Sequence, residues 1–241
     1  HKDFIPSIWY QREITVPQSW EGKDILLNFG AVYYVSEIYV DGKFVDRHHG
    51  GSDSFTVDIT RFVKPGSTHS LVVCASSDLR ARMQSAGKQS LRHGPFECMY
   101  TRTTGIWQTV WMEAVAPTGI QRVKYVTDID RSTVSMEFTM RRNATGNMLT
   151  VNVLDGKKVV ATDTAPVASG SIVSLPIKKA KLWSPENPFL YDVQLILKDA
   201  SGNVIDEVAS YFGMRKIHTD GNKIYLNNKP YYQRLVLDQG F

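Results

Sequence analysis

The sequence predicts an all-β protein made of two consecutive β-sandwiches and a short C-terminal piece. Three observations carry this. Apolar and polar residues alternate with period two along almost the whole chain, which is the strand signature. Turn signals, Asp-Gly pairs among them, recur every ten or so residues. No window of ten or more residues sustains a 3.6-residue period.

The elements follow in chain order. In "IWYQREITV", Ile8, Tyr10, Ile14 and Val16 share one face, and in "DILLNFG" Ile25, Leu27 and Phe29 do the same. "VYYVSEIYVDGKFV" is two strand-like runs about Asp41-Gly42, a pair that accepts the positive φ of a tight hairpin turn. "DSFTVDI" alternates Phe55, Val57 and Ile59 with polar residues. "DLRARMQSAGKQS" is polar, holds Gly87 and reads as a long loop, a length that in compact domains goes with function or mobility. "IWQTVWMEAV" puts Ile106, Val110, Met112 and Ala114 on one side and Trp107, Trp111 and Val115 on the other. The tryptophans are expected in the core, where large aromatic rings dominate packing.

"APTG", Ala116 to Gly119, breaks the pattern, and a second series begins. "TVSMEFTMR" aligns Val134, Met136, Phe138 and Met140; "MLTVNVLDGKKVVAT" is a hairpin turning at Asp155-Gly156. "SIVSLPI" and two runs within "LYDVQLILKDASGNVIDEVASYFG" complete about seven short strands between residues 120 and 213, the spacing of an immunoglobulin-like sandwich. "GNKIYLNNKPYYQRLVL" then reads as a hairpin about "NNKP" followed by a strand over Tyr231–Leu237. The domains expected are 1–117, 118–216 and a third piece, 217–241.

Composition narrows the function. Of 241 residues, 42% are hydrophobic and 22% charged, ordinary for a folded chain able to bury a core without staples. The net charge of +4 comes from mixed-sign residues with no dense basic run, so nucleic acid is not an expected partner. No apolar stretch reaches the roughly 18–20 residues of a membrane span, so no membrane partner is expected. The chain opens at His1 in strand-like sequence without a Met, which reads as a trimmed segment. Cys74, in an apolar strand, is expected to be buried and inert; Cys98 lies in a loop. Two such cysteines make neither a disulfide framework nor a metal site, and they leave the compartment open.

Catalytic patterns are missing from the residues themselves. There is no GxSxG elbow, no HExxH or comparable ligand spacing among His48, His49, His69 and His93, and no phosphate loop opening a helix. Asn143-Ala144-Thr145 matches a glycosylation acceptor, relevant only in a eukaryotic secretory context. Asp and Glu residues sit mostly at turns or on polar strand faces, and no catalytic carboxylate pair stands out.

The order of motifs is more informative. "IWYQREITVPQSWEGKDILLNFGAVYYVSEIYVDGKFVDRHHGGSDSFTVDIT" with "TTGIWQTVWMEAV" resembles the N-terminal sugar-binding jelly roll (galactose-binding-like) of glycoside hydrolase family 2, which holds β-galactosidases and β-glucuronidases. "LWSPENPFLYDVQLIL" and "SYFGMRKI" resemble that family's immunoglobulin-like domain. "DGNKIYLNNKPYYQRLVLDQGF" resembles the hairpin and first strand of its (β/α)8 barrel, here truncated. Leu237, Asp238 and Gln239 stand where those enzymes carry an Asn and a histidine-containing run, so neither galactose nor glucuronic acid is specified.

The resemblance implies a retaining β-glycosidase acting on a carbohydrate. One glutamate protonates the leaving oxygen and another attacks the anomeric carbon, with the two about 5 Å apart. In the family both come from later barrel strands, so the chain in hand carries no catalytic residue and is expected to be inactive. Active sites of such barrels lie at the C-terminal ends of the strands. That nominates Arg234, Asp238 and Gln239 as substrate contacts, and the loop "SAGKQSLRHGPFEC" adds Lys88 and Gln89 at the pocket edge. Retaining hydrolysis needs no cofactor, and no metal ligand is expected. Three roles stay open at this level: the non-catalytic portion of a glycosidase, a stand-alone carbohydrate-binding module, and a structural unit that assembles a homo-oligomer.

Overall fold

A computed structural model describes residues 4–81 and 83–238. Among them the only helical elements are three short 3-10 turns, at Gln18–Trp20, Thr60–Phe62 and Leu79–Ala81; no helix is long and apolar enough to cross a membrane. The chain forms two compact units, one running to Val115 and including the C-terminal residues from Leu237, and one spanning Ala116–Val236.

The first unit holds β1 (Ser7–Thr15), β2 (Asp24–Phe29), β3 (Val32–Tyr33), β4 (Val35–Val40), β5 (Lys43–His49), β6 (Phe55–Asp58), β7 (Thr68–Ser76), β8 (Gly105–Ile106) and β9 (Val110–Val115). They build the expected jelly-roll sandwich. One sheet runs β1-β7-β4-β5, the facing sheet β6-β2-β9, and β3 and β8 form a short pair. All pairings are antiparallel. The alternating apolar positions meet between the sheets, where Ile25, Phe29, Ile38, Val57 and Ala75 are fully or almost fully buried. Phe29 stacks on Phe55 at 4.6 Å, and Phe55 stacks in turn on His48 at 4.0 Å. The hairpin of β4 and β5 turns through Asp41 (φ 49°) and Gly42 (φ 74°), as the Asp-Gly pair predicts: two consecutive positive φ values match the twist of the flanking strands.

Two features of this unit differ from the sequence reading. Strand β2 is buried on both faces, not one: Leu26 and Asn28 are covered as well as Ile25 and Leu27. Asn28 is accommodated by a hydrogen bond from its Nδ2 to Glu113 (2.8 Å) and one from the Thr56 hydroxyl to its Oδ1 (2.7 Å), so its amide stays satisfied in the interior. Trp107 and Trp111, expected in the core, are instead 49% and 45% exposed. Alternation assigned them correctly to a second face, but nothing covers that face fully. The indole N–H of Trp107 donates to the Gly51 carbonyl, which fixes its polar edge at the surface.

The second unit holds β10 (Ile120–Asp128), β11 (Thr133–Met140), β12 (Met148–Asp155), β13 (Lys158–Pro166), β14 (Ile172–Pro176), β15 (Tyr191–Lys198) and β16 (Val204–Phe212). These are the strands counted from the pattern. They pair as β10-β11-β14 and β13-β12-β15-β16, a three-on-four immunoglobulin-like sandwich. Val134, Met136 and Phe138 from one sheet and Leu149, Val151 and Leu195 from the other are all at 0% exposure, so the alternation in "TVSMEFTM" is the core face. The β12–β13 hairpin pairs Asp155 with Lys158, which puts its turn at Gly156-Lys157, one residue later than read from sequence.

The unit closes with a meander of β17 (Ile217–Asp220), β18 (Lys223–Leu226) and β19 (Lys229–Pro230). Its second turn, Asn227-Asn228, has φ values of 52° and 63°; asparagine tolerates this region better than most residues. Tyr231–Leu237, expected as a strand, has no regular structure, and Val236 is 90% exposed. An apolar run becomes a strand only where another strand takes up its backbone N–H and C=O groups; here the Tyr231 N–H donates to the Ile224 carbonyl of β18 at 2.9 Å, and no ladder with a described strand continues beyond it.

Candidate functional site

The main concavity of the first unit is built by the long loop between β7 and β8. Its anchors are specific. The Tyr33 hydroxyl donates to the Ser85 carbonyl, and burial pushes that phenol above its usual range, with Gln84 and Gln89 at the same hydroxyl. Gln89 Oε1 accepts from the Thr103 backbone N–H at 2.7 Å, and Ser90 N–H donates to the Tyr100 carbonyl at 2.7 Å. The Arg102 guanidinium donates to the carbonyls of Ser90, Arg92 and His93, and so pins the far end of the loop. At the near end the Thr104 hydroxyl donates to the Ile5 carbonyl, and Ser77 N–H to the Pro6 carbonyl, which draws the N-terminal segment against the loop.

These ties enclose a cavity of about 840 Å³. Phe4, Ile5, Ile8 and Val35 supply its apolar wall, and Ser77, Asp78, Arg80, Gln84, Arg102 and Thr103 its polar one. A second groove, about 710 Å³, runs along β1 between the two sheets, lined by Tyr10, Leu27, Val73 and Trp111 among others. Among the described residues each concavity has a single carboxylate on its lining, Asp78 in the first and Glu13 in the second.

The residues nominated from sequence fall as follows. Lys88 is half-buried in the loop, and its carbonyl accepts from Tyr100 N–H at 2.8 Å. Gln89 is turned inward, only 5% exposed, with its side chain committed to Thr103. Arg234 and Asp238 are exposed on the irregular C-terminal run; Gln239 lies outside the described residues. Arg234 is near Glu186. That carboxyl is held below its usual range first by its own backbone N–H, then by Ser184 and the Tyr231 hydroxyl, with a smaller pull from Arg234. The Tyr231–Glu186 bond, 3.0 Å, ties the start of the run to the "SPEN" loop.

Sequence reasoning missed Phe4, Arg80 and Arg102. A local signal was present: the loop carries Arg80, Arg82, Lys88, Arg92 and Arg102 against Asp78 and Glu97. It also left open whether exposed aromatics share a face. They do: Trp9, 63% exposed, lies 6.1 Å from Tyr39, which lies 5.7 Å from Phe44, across the outer side of the β1-β7-β4-β5 sheet.

The first unit is thus a jelly-roll sandwich with a loop-built cavity, and the second an immunoglobulin-like sandwich. Residues 2–93 match the family model "Glycosyl hydrolases family 2, sugar binding domain", and residues 118–215 match "Glycosyl hydrolases family 2". Together the two matches take in most of the chain, and the chain belongs to glycosyl hydrolase family 2. It is similar to a β-galactosidase of Thermoanaerobacter pseudethanolicus (25% identity, over 92% of this chain and 30% of the relative). It is also similar to a β-glucuronidase of Paenibacillus borealis (24% identity, over 96% of this chain and 40% of the relative). Among solved structures, a glycosyl hydrolase family 2 member from Bacteroides cellulosilyticus superimposes with a TM-score of 0.76 at 22% identity, covering 93% of this chain and 31% of that one, a likeness of fold. The chain thus spans roughly a third of the length of the relatives it matches.

Proposed function

We propose that this chain is the non-catalytic N-terminal portion of a retaining β-glycosidase, in which its two sandwiches support a (β/α)8 barrel and its loops edge the catalytic pocket. The observation that supports this best is the succession of two family 2 segments in one chain, each folded as its own sandwich. The substrate is a carbohydrate β-glycoside, cleaved in the intact enzyme at its O-glycosidic bond by one glutamate acting as acid and another as nucleophile. Retaining hydrolysis needs two carboxyl groups about 5 Å apart. In this reading the segment scaffolds the reaction, and the two glutamates come from the barrel. Within this reading the domains are 1–117, 118–216 and 217–241. Arg234, within the first barrel strand, and Asp238 and Gln239, at its C-terminal end, contact substrate, and Lys88 and Gln89 belong to the pocket edge. The run Tyr231–Leu237 becomes a strand once neighbouring barrel strands take up its backbone groups.

The test is turnover of nitrophenyl β-galactoside and β-glucuronide. The chain alone should release no nitrophenol, while a gene product in which this segment precedes a barrel should. Release by the chain alone would overturn the non-catalytic assignment. Silence of the longer product on a broad panel of β-glycosides would overturn the glycosidase.

A second reading, a carbohydrate-binding module in its own right, is favoured by exposed Trp9 and Phe44 with half-buried Tyr39 between them, since aromatic faces are apolar surfaces on which sugar rings pack. Calorimetric titration with galactosides and plant or host oligosaccharides tests it, and Trp9→Ala should abolish the heat. A flat titration of the unaltered chain removes this reading without touching the first.

A further inference from the structure

The 840 Å³ cavity has a charge arrangement that the scaffold role does not use. Arg80 and Arg102 both stand over the ring of Phe4, their guanidinium carbons 3.6 and 3.8 Å from its centroid. Two cations held against one ring repel each other, and the repulsion is strongest where water is scarce. Contact with the ring offsets part of this. Arg102 is fixed by the loop carbonyls it bonds. Arg80 is placed differently. Its backbone N–H is capped by Asp78 Oδ1 at 3.2 Å, and among the described residues no ion pair engages its guanidinium. Asp78, the one carboxylate among the described lining residues, also receives the Ala81 N–H, so it serves the turn. Among the described residues the lining carries two arginines and one aspartate, and the concavity is within the size range of ligand pockets. Thr101 and Thr103 line it beside the apolar wall of Ile5 and Ile8, while the Gln84 amide is taken up by the Asp78 N–H and the Ser77 hydroxyl, each at 3.0 Å.

We infer that this cavity is a binding site for an acidic saccharide, a sugar ring bearing a carboxylate or sulfate, with the anion on Arg80 and the sugar hydroxyls along Thr101 and Thr103. A planar, forked guanidinium binds such anions bidentately. The anionic half of the inference stands on the cavity alone; the saccharide half rests on the glycosidase reading above.

The experiment is a ¹H–¹⁵N NMR titration of the chain with methyl β-glucuronide, methyl β-glucoside and sodium sulfate, each at millimolar concentration. The glucuronide should shift the signals of Phe4, Arg80 and Thr103 saturably, and the neutral glucoside should not. Arg80→Gln should weaken the glucuronide about tenfold or more, as loss of a charge-assisted hydrogen bond does. Arg80→Lys should weaken it less, and Arg122→Gln, an exposed charge on β10, should leave it unchanged. Equal binding of glucoside and glucuronide would overturn the anion assignment. Sulfate binding as tightly as the glucuronide would overturn the saccharide assignment and leave a simple anion site. Absence of any shift in this cavity overturns both, and leaves the turnover assay of the longer product standing.

Discussion

Phe29 is the residue on which the packing of the first sandwich is most directly tested. It lies on the central strand β2 at 0% exposure, with its ring stacked nearly parallel on Phe55, 9° between planes, and Phe55 stacked on His48. Phe29→Ala removes a full aromatic side chain from an interior with no water to replace it. Such substitutions cost about 3–5 kcal/mol, and the lost ring pairing places this one near 4. For a unit of this size the unfolding entropy is about 0.24 kcal/mol per degree, so the transition of the first unit should fall by about 15 °C. Scanning calorimetry reads this. A double-mutant cycle with Phe29→Leu and Phe55→Leu, read by urea unfolding, should show a coupling of about 0.5–1.5 kcal/mol from the stacked pair. A loss below about 1 kcal/mol for Phe29→Ala, or zero coupling, would refute the account of a tightly packed inter-sheet core around this ring.

Other outcomes follow from the same geometry. The Asp41 carboxyl is held below its usual range first by its hydrogen bond with His69 (2.7 Å) and then by the Ser70 N–H (2.8 Å). A carboxyl depressed on folding stabilises fully above its unfolded value of about 3.9, and that stabilisation disappears as pH falls through the lower folded value. Asp41→Asn, which tolerates the same turn geometry, should therefore differ from the parent at neutral pH and converge with it in acid. A difference in urea midpoint that does not change with pH would contradict this. Gly42→Ala should cost about 1 kcal/mol, because its φ is positive but a Cβ would meet nothing within 4 Å. Gly105→Ala should cost more, about 2–3 kcal/mol, since φ is 108° and a Cβ would fall 2.2 Å from the Tyr10 hydroxyl that accepts the Ile106 N–H; equal costs in thermal unfolding would undo the distinction. Finally, Cys98 is exposed while Cys74 is buried, with its thiol pushed up by burial. A disulfide reagent should titrate one thiol at once and the second only in denaturant, and two fast thiols would show β7 to be loosely covered.

Much of the fold was legible because local rules and tertiary structure agree in it. Val134, Met136, Phe138 and Met140 alternate in sequence and share one buried face, and Asp41-Gly42 is a turn both by propensity and in fact. The break at Ala116 to Gly119 separates β9 from β10. The misreadings share a cause. Alternation tells which residues share a face, but not whether another layer covers it. Thus Trp107 and Trp111 were expected inside and stand at the surface, while Leu26 and Asn28, on the face of β2 opposite Ile25, Leu27 and Phe29, are buried as well. Tyr231–Leu237 has the composition of a strand without a partner to make it one. The cavity was the least legible feature. Phe4, Arg80 and Arg102 are far apart in sequence and meet only because β1, β7 and β8 bring their flanking segments to one end of the sandwich. Spacing along the chain holds no trace of that meeting, though the basic bias of the loop does.

The pairing of β2 with β9 also sets a timetable. Asn28 and Glu113 bond across 85 positions of chain, so the sheet that β2 centres cannot close until its last strand has been made. At about 5–20 residues per second, synthesis of the intervening stretch takes on the order of 4–17 seconds. For that interval the nascent "DILLNF" segment, with Ile25, Leu27 and Phe29 on one face and Leu26 between Asp24 and Asn28 on the other, lacks the neighbour that will cover it. During translation this short segment is therefore the place where a chaperone has most to shield and where premature association between nascent chains is most apt to begin.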